Sequence, residues 1–223
     1  AYPRLVERAA TLAAFVPAGW RLEHAARGNL DAEAGEDALL VLRMDAPANV
    51  IENDGFGPDR FDTNPRMLVA ALADANGGWR RVMANHALVP RPEAPVMDDF
   101  LNDNPASAVT LRANRTWSVQ LHSWASAGTW STREVTYTFR LEGDCMRLVG
   151  YDNEHLHRGS GVTTTTSINY LTGRAWIRAG SIEDDTPGPQ RATQLASRAR
   201  ICIGDIGEGL AFEPDLVRVA PAD

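Results

Sequence analysis

Three stretches of this chain gather residue types from which a site could be built. The first, Asn29-Leu30-Asp31-Ala32-Glu33-Ala34-Gly35-Glu36-Asp37, sets oxygen-bearing side chains at alternate positions just before the apolar run Ala38 to Met44. Calcium takes about six to eight oxygen ligands from a tightly wrapped loop, and Asn29, Asp31, Glu33, Gly35 and Asp37 are the set such a loop would use. The fit to a DxDxDG loop is partial. Asn29 stands first, Ala34 holds the place of the turn glycine, and Leu40 falls where a closing Glu belongs. A solvated acidic turn is the competing reading.

The second stretch is Asp152-Asn153-Glu154-His155-Leu156-His157. In an extended chain His155 and His157 point to one face and could chelate a transition metal, although an HxH pair also describes two exposed imidazoles. A hydrolase would use Asp152 or Glu154 as acid or base. No nucleophile accompanies them, because Gly159-Ser160-Gly161 is not the GxSxG of a strand-turn-helix elbow and Ser160 reads as a turn residue. The sequence therefore reads as that of a protein that is not an enzyme. Cys145 and Cys202, the only cysteines, form no CxxC. They either close one long loop, worth about 4 kcal/mol on the chain-entropy model, or remain two inert buried thiols.

The third stretch, Ser123-Trp124-Ala125-Ser126-Ala127-Gly128-Thr129-Trp130, lies between two strand-like segments, with Arg133 just beyond. A loop held by a rigid scaffold is where binding residues concentrate, and tryptophan and arginine flanked by adaptable serines carry interface energy most often. Ser123, Trp124, Ser126, Trp130 and Arg133 are the expected partner-binding set. Trp124 is the principal contact in this reading, while Trp130 can alternatively begin the next strand inside the core.

These stretches depend on strands for their placement. Val135, Tyr137, Phe139 and Leu141 alternate with Thr136, Thr138 and Arg140, so one face is apolar and the other wet. Glu142-Gly143-Asp144 supplies a turn, and Met146 to Tyr151 returns. Trp117, Val119 and Leu121 alternate in the strand before, and Thr163 to Ile168 and Arg174 to Ala179 continue the pattern. Ala38 to Met44 and Arg66 to Ala73 are nearly continuous apolar runs, as in a strand buried on both faces, and Asn76-Gly77-Gly78 turns the second into Trp79 to Ala84. Leu5, Val6, Ala9, Leu12 and Ala13 share a helical face that Pro17 and Gly19 terminate. The expected fold is mainly β, an antiparallel domain, propeller-like or sandwich-like, with a short N-terminal helix. It divides as a helical segment over 1–18 and one β-rich domain over 19–223. Pro47 to Pro65, Pro90 to Pro105 and Glu183 to Pro189 read as irregular polar loops, not interdomain linkers.

Composition excludes several classes. The 22 basic residues, all arginine, against 29 acidic ones leave a net charge of −7, which argues against nucleic-acid binding through a basic field. No apolar run approaches the length of a membrane span.

Phe15-Val16-Pro17-Ala18-Gly19-Trp20, the acidic loop entering Ala38 to Met44, and Asn64-Pro65-Arg66-Met67-Leu68 follow one family's order. So do Trp130 with Val135-Thr136-Tyr137-Thr138-Phe139-Arg140, then Arg147-Leu148-Val149-Gly150-Tyr151-Asp152 and Ser167-Ile168-Asn169-Tyr170-Leu171-Thr172-Gly173. In these the chain resembles bacterial periplasmic lipoproteins whose N-terminal loop looks like a calcium-binding FG-GAP (VCBS-like) repeat. That family includes immunity proteins of an antibacterial type IV secretion system, which inhibit lysozyme-like effectors. The resemblance runs from about Phe15 to Ala179 and is most specific between Trp130 and Gly173. It implies a lipid-anchored periplasmic protein, with membrane contact only through an anchor outside this chain, Ca²⁺ in the acidic loop at Asp31, Glu33 and Asp37, and a plug from His122 to Arg133 that fills the effector's cleft. An envelope module that uses calcium to organise a ligand-binding loop is the alternative.

Overall fold

In a computed structural model that describes residues 2–33, 35–101 and 104–218, the run Ala38 to Met44 is apolar throughout because both of its faces are covered. Leu39 and Val41 join one core cluster with Leu68, Ala70 and Leu72, while Ala38, Leu40 and Leu42 join a second with Met67, Val69 and Ala71. Two buried faces remove the need for a polar alternate residue.

The first seven strands are β1 (Arg8–Ala9), β2 (Trp20–Gly28), β3 (Asp37–Met44), β4 (Val50–Glu52), β5 (Arg60–Asp62), β6 (Arg66–Ala73) and β7 (Trp79–Asn85). Strands β4 and β5 form a small hairpin, and the other five make one antiparallel sheet in the order β1-β7-β6-β3-β2. The rest of the chain forms β8 (Val109–Leu111), β9 (Thr116–Ser123), β10 (Ser131–Glu142), β11 (Cys145–His157), β12 (Val162–Asn169), β13 (Arg174–Ser181), β14 (Gln190–Leu195) and β15 (Leu216–Arg218). These eight pair in sequence order as an antiparallel meander. The two sheets pack face to face, with Leu39, Val41, Leu68 and Met83 meeting Trp117, Val119, Val135, Tyr137 and Phe139. The protein is a mainly-β, sandwich-like fold. A bulge opposite Thr138 and Phe139 shifts the β10–β11 register, which lets Leu148 and Tyr151 share the core despite opposite parity.

The expected N-terminal helix is confined to one 3-10 turn, Leu12–Phe15. Before it the chain is extended, and β1 pairs with β7 at the sheet edge. Leu5, Leu12 and Phe15 still reach the second core cluster, so burial is satisfied without a helix. A single helix of ten residues is marginal in water, and edge pairing satisfies the same backbone groups with tertiary support. Residues 2–18 thus lie along the smaller sheet, with Leu5, Leu12 and Phe15 covering its outer face.

Arg43 and Arg66 stand directly opposite each other on β3 and β6. Like charges in that position repel, and the fold brings carboxylates to them. Arg66, only 3% exposed, donates to both oxygens of Glu23 at 2.6 and 2.9 Å and to both of Asp99 at 2.7 and 2.8 Å. Arg43 reaches Glu23 at 3.3 Å and Asp62 at 3.1 Å. Glu23 is the extra residue of a bulge in β2, which turns its side chain to this pair. Burial alone would raise the Glu23 pKa, but the hydrogen bonds and charge of Arg66 outweigh it and hold the carboxyl below its ordinary value.

The C-terminal residues complete the core. A disulfide joins Cys145 to Cys202 across a separation of 57 residues. It anchors a short helix, α1 (Ile203–Ile206), beside β11. Gly209 then donates to Leu88 O at 2.9 Å and accepts from the buried Tyr137 hydroxyl at 2.5 Å. A Cβ on Gly209 would lie 2.8 Å from Leu88 O, so only glycine permits this approach. Phe212 packs on Tyr137 and Tyr151.

Two stability predictions follow from these contacts. Phe139→Ala should cost about 3–5 kcal/mol in urea denaturation, because it empties a fully buried site beside Trp117 and Tyr137. Since the folded Glu23 pKa is depressed, its contribution is present above the unfolded value near ~4.3 and is lost as pH falls through the folded value. The melting temperature should drop as pH falls below about 5, and Glu23→Gln, already less stable at neutral pH, should flatten that part of the slope. An unchanged acid profile in Glu23→Gln would assign the loss to other carboxylates.

Candidate functional site

The acidic loop is a structural turn. Asp37 is 2% exposed, and its carboxylate accepts backbone N–H groups from Leu30 at 2.6 Å, Asp31 at 3.3 Å and Ala73 at 2.9 Å. Asp31 caps its own turn by accepting from the Glu33 N–H. Gly35 has φ +145°, and a Cβ there would lie 2.6 Å from that of Ala73, so close chain approach explains this glycine. Among the described residues no three His, Cys, Asp or Glu side chains gather to hold a metal ion. In the expected calcium set, Asn29, Asp31, Glu33, Gly35 and Asp37, the most buried carboxylate is engaged with backbone amides; Ala34, at the place of the turn glycine, lies outside the described residues.

His155 and His157 share a face of β11, as extended backbone requires. The Nδ1 of His157 lies 2.9 Å from the Ser160 hydroxyl and accepts the Ser160 N–H at 3.2 Å, which locks the β11–β12 turn. Asp152 and Glu154 lie on the opposite face, Glu154 directly beside Glu134 of β10.

The loop between β9 and β10 divides into a partly buried half and an exposed half. His122 N–H donates to Phe100 O, Asp98 N–H to Trp124 O and Ser126 N–H to Val96 O, at 2.9–3.0 Å. Residues 96–100 thus extend the sheet beside 122–126, and Ala125 is buried. Trp124 is half-buried at the wall of a cavity of about 400 Å³ shared with Gly57, Pro95 and Met97. Arg158 lies over its ring, 4.9 Å from the centroid, and donates to the carbonyls of Ala125 at 2.7 Å and Thr129 at 2.8 Å. Such a cation–π contact with two anchored carbonyls fixes the loop before any partner arrives.

The exposed half carries Trp130, which is 66% exposed. The expected ranking of the two tryptophans is therefore reversed: Trp130 projects, and Trp124 is a strut. Arg133 is also reassigned. Its guanidinium donates to Asn153 Oδ1 at 2.7 Å, Leu210 O at 2.6 Å and the Tyr151 hydroxyl at 3.0 Å, and it pairs with Glu213 at 3.3 Å, so it holds the C-terminal segment against the sheet. Ser126 is exposed beside Trp130, and Ser123 lies apart from both, in a groove on the core side of the sheet.

Because the eight strands form a meander, the β9–β10, β11–β12 and β13–β14 connections emerge at one end of the sheet. Gly159 of the second lies against the Trp130 ring, and Gly161 meets Ile182 of the third. The β4–β5 tip joins them, since Gly57 and Pro58 border the cavity that Ser126 also lines. The three most exposed large apolar side chains among the described residues, Phe56 at 83%, Trp130 and Ile182 at 63%, all sit on these tips. Exposed acids surround them: Asp54 and Asp59 flank Phe56, Glu183, Asp184 and Asp185 follow Ile182, and Asp98 borders the Trp124 cavity. Apolar tips inside an acidic rim make a surface that suits a basic protein. Sequence reading found Trp130 but missed Phe56 and Ile182, since nothing local marks either as exposed.

Trp130→Ala should leave stability within about 0.5 kcal/mol of the parent, whereas Trp124→Ala should cost about 1–3 kcal/mol through lost packing and the Arg158 contact. Urea denaturation of the two variants measures both. A comparison of the chain with protein-family models, with curated proteins and with solved structures finds no match in any of the three.

Proposed function

We propose that this protein is an inhibitory binding protein of the bacterial envelope that docks its loop end on a basic, lysozyme-like peptidoglycan hydrolase and obstructs the catalytic cleft. The observation that carries this reading is the convergence of Phe56, Trp130 and Ile182 on one end of the sandwich, within an acidic surround. A large aromatic presented on a tip already fixed by Arg158 loses little freedom on binding, so more of its contact energy appears as affinity. The net charge of −7 steers a basic partner and speeds encounter. Obstruction needs no chemistry, so the reading requires no catalytic group. The Cys145–Cys202 disulfide supports an oxidising compartment, and the periplasm with a lipid anchor outside this chain is part of the proposal.

The test is lysis of peptidoglycan by several basic lysozyme-like hydrolases, with the protein in micromolar excess. At least one enzyme should be inhibited, less so as salt screens the acidic rim. Trp130→Ala should weaken that inhibition about thirtyfold, roughly 2 kcal/mol. Undiminished lysis by every enzyme, or a Trp130→Ala variant as potent as the parent, refutes the proposal.

A further inference from the structure

The apolar face of the larger sheet does not stop where the sandwich ends; it turns polar. Along β9, Leu121 gives way to Ser123; along β10, Val135 gives way to Arg133 and Ser131; along β11, Tyr151 gives way to Asn153 and His155; along β12, Ile168 gives way to Thr166 and Thr164. These residues line a cavity of about 600 Å³, and Glu213 of the C-terminal segment forms its wall. The size falls in the range of small-molecule sites.

We propose that this groove binds a short neutral oligosaccharide. The hydroxyls of Ser123, Ser131, Thr164 and Thr166 engage no protein group among the described residues, although all four line one cavity. Asn153 uses Oδ1 to accept from Arg133, which leaves its amide N–H donors directed elsewhere. The strand backbones are already paired within the sheet, so they cannot take up these side chains. Hydroxyls both donate and accept, as sugar hydroxyls do, and a set of them on adjacent strands matches a ring that presents several such groups. Charge selects among ligands of this size. The Arg133 charge is balanced by Glu213 at 3.3 Å and its N–H donors are taken up by Leu210 O and the Tyr151 hydroxyl, so no arginine or lysine among the described lining residues is left to meet an anion, and Glu213 disfavours one further. The groove lies on the core side of the sheet and excludes Trp130, so the inference stands independently of inhibition at the loop end.

The test titrates the disulfide-intact protein with N-acetylglucosamine trisaccharide and, separately, with maltotriose, each up to about 10 mM, followed by amide chemical shifts and calorimetry. The expected result is saturable binding of at least one sugar, with shifts at Asn153, His155, Thr164 and Thr166. Thr164→Val with Thr166→Val keeps β-branching and volume but removes two hydroxyls, and should weaken binding at least tenfold. Ser123→Ala, the milder change on the opposite wall, should weaken it several-fold if the double variant fails to fold. Trp130→Ala should bind sugar as the parent does. Absence of saturable binding to both sugars overturns the proposal, as does parent-like affinity in the folded groove variants.

Discussion

Two guanidinium groups that face each other on adjacent strands, Arg43 and Arg66, govern the arrangement around them. At near-complete burial neither charge is tolerable without partners. Their requirements draw in Glu23 from a bulged strand, Asp62 from the β4–β5 hairpin and Asp99 from the long loop before β8. The network thereby fastens an isolated two-stranded hairpin and a long loop that lacks regular structure. Asp99 also accepts the Leu101 N–H at 2.9 Å, which seats Leu101 in the main core. The same loop supplies residues 96–100, against which 122–126 align. The position of the loop end therefore traces back through hydrogen bonds to the buried arginine pair. We regard the network as a specifier of geometry more than a source of net stability, since replacing buried ion pairs by apolar groups is often neutral or favourable.

Most of the sandwich could be read from periodicity. Val135, Tyr137 and Phe139 alternate with threonines because one face is core and the other is solvent, and the unbroken run at Ala38 signals two covered faces. The N-terminal segment was harder to read. Leu5, Ala9 and Leu12 fit a helical stripe, but they fit an edge-paired extended chain equally well, and only the free edge of β7 decides between them. The last forty residues carry almost no periodic pattern, yet Gly209 and Phe212 close the core through contacts to Tyr137, Tyr151 and Leu88. Such long-range closure leaves no local mark. The disulfide is one of two open alternatives in the sequence and becomes definite only with β11 and α1 adjacent.

The functional residues were legible as types more than as roles. Trp124, Trp130 and Arg133 all have the character of interface residues, and all three lie near the loop end, but two of them hold the framework. Asp37 shows the same lesson: a carboxylate in an acidic loop satisfies three backbone amides, and its near-total burial sets it apart from a solvated turn residue. Partner geometry, not residue type, separates a strut from a contact.

The meander places every second turn at the same pole, while the disulfide enters from the other, at the start of β11. Changes in composition at 127–130, 159–161 or 183–187 touch neither the bridge nor the buried arginines. If the loop end is the binding surface we propose, recognition and foldability are written in separate parts of the chain.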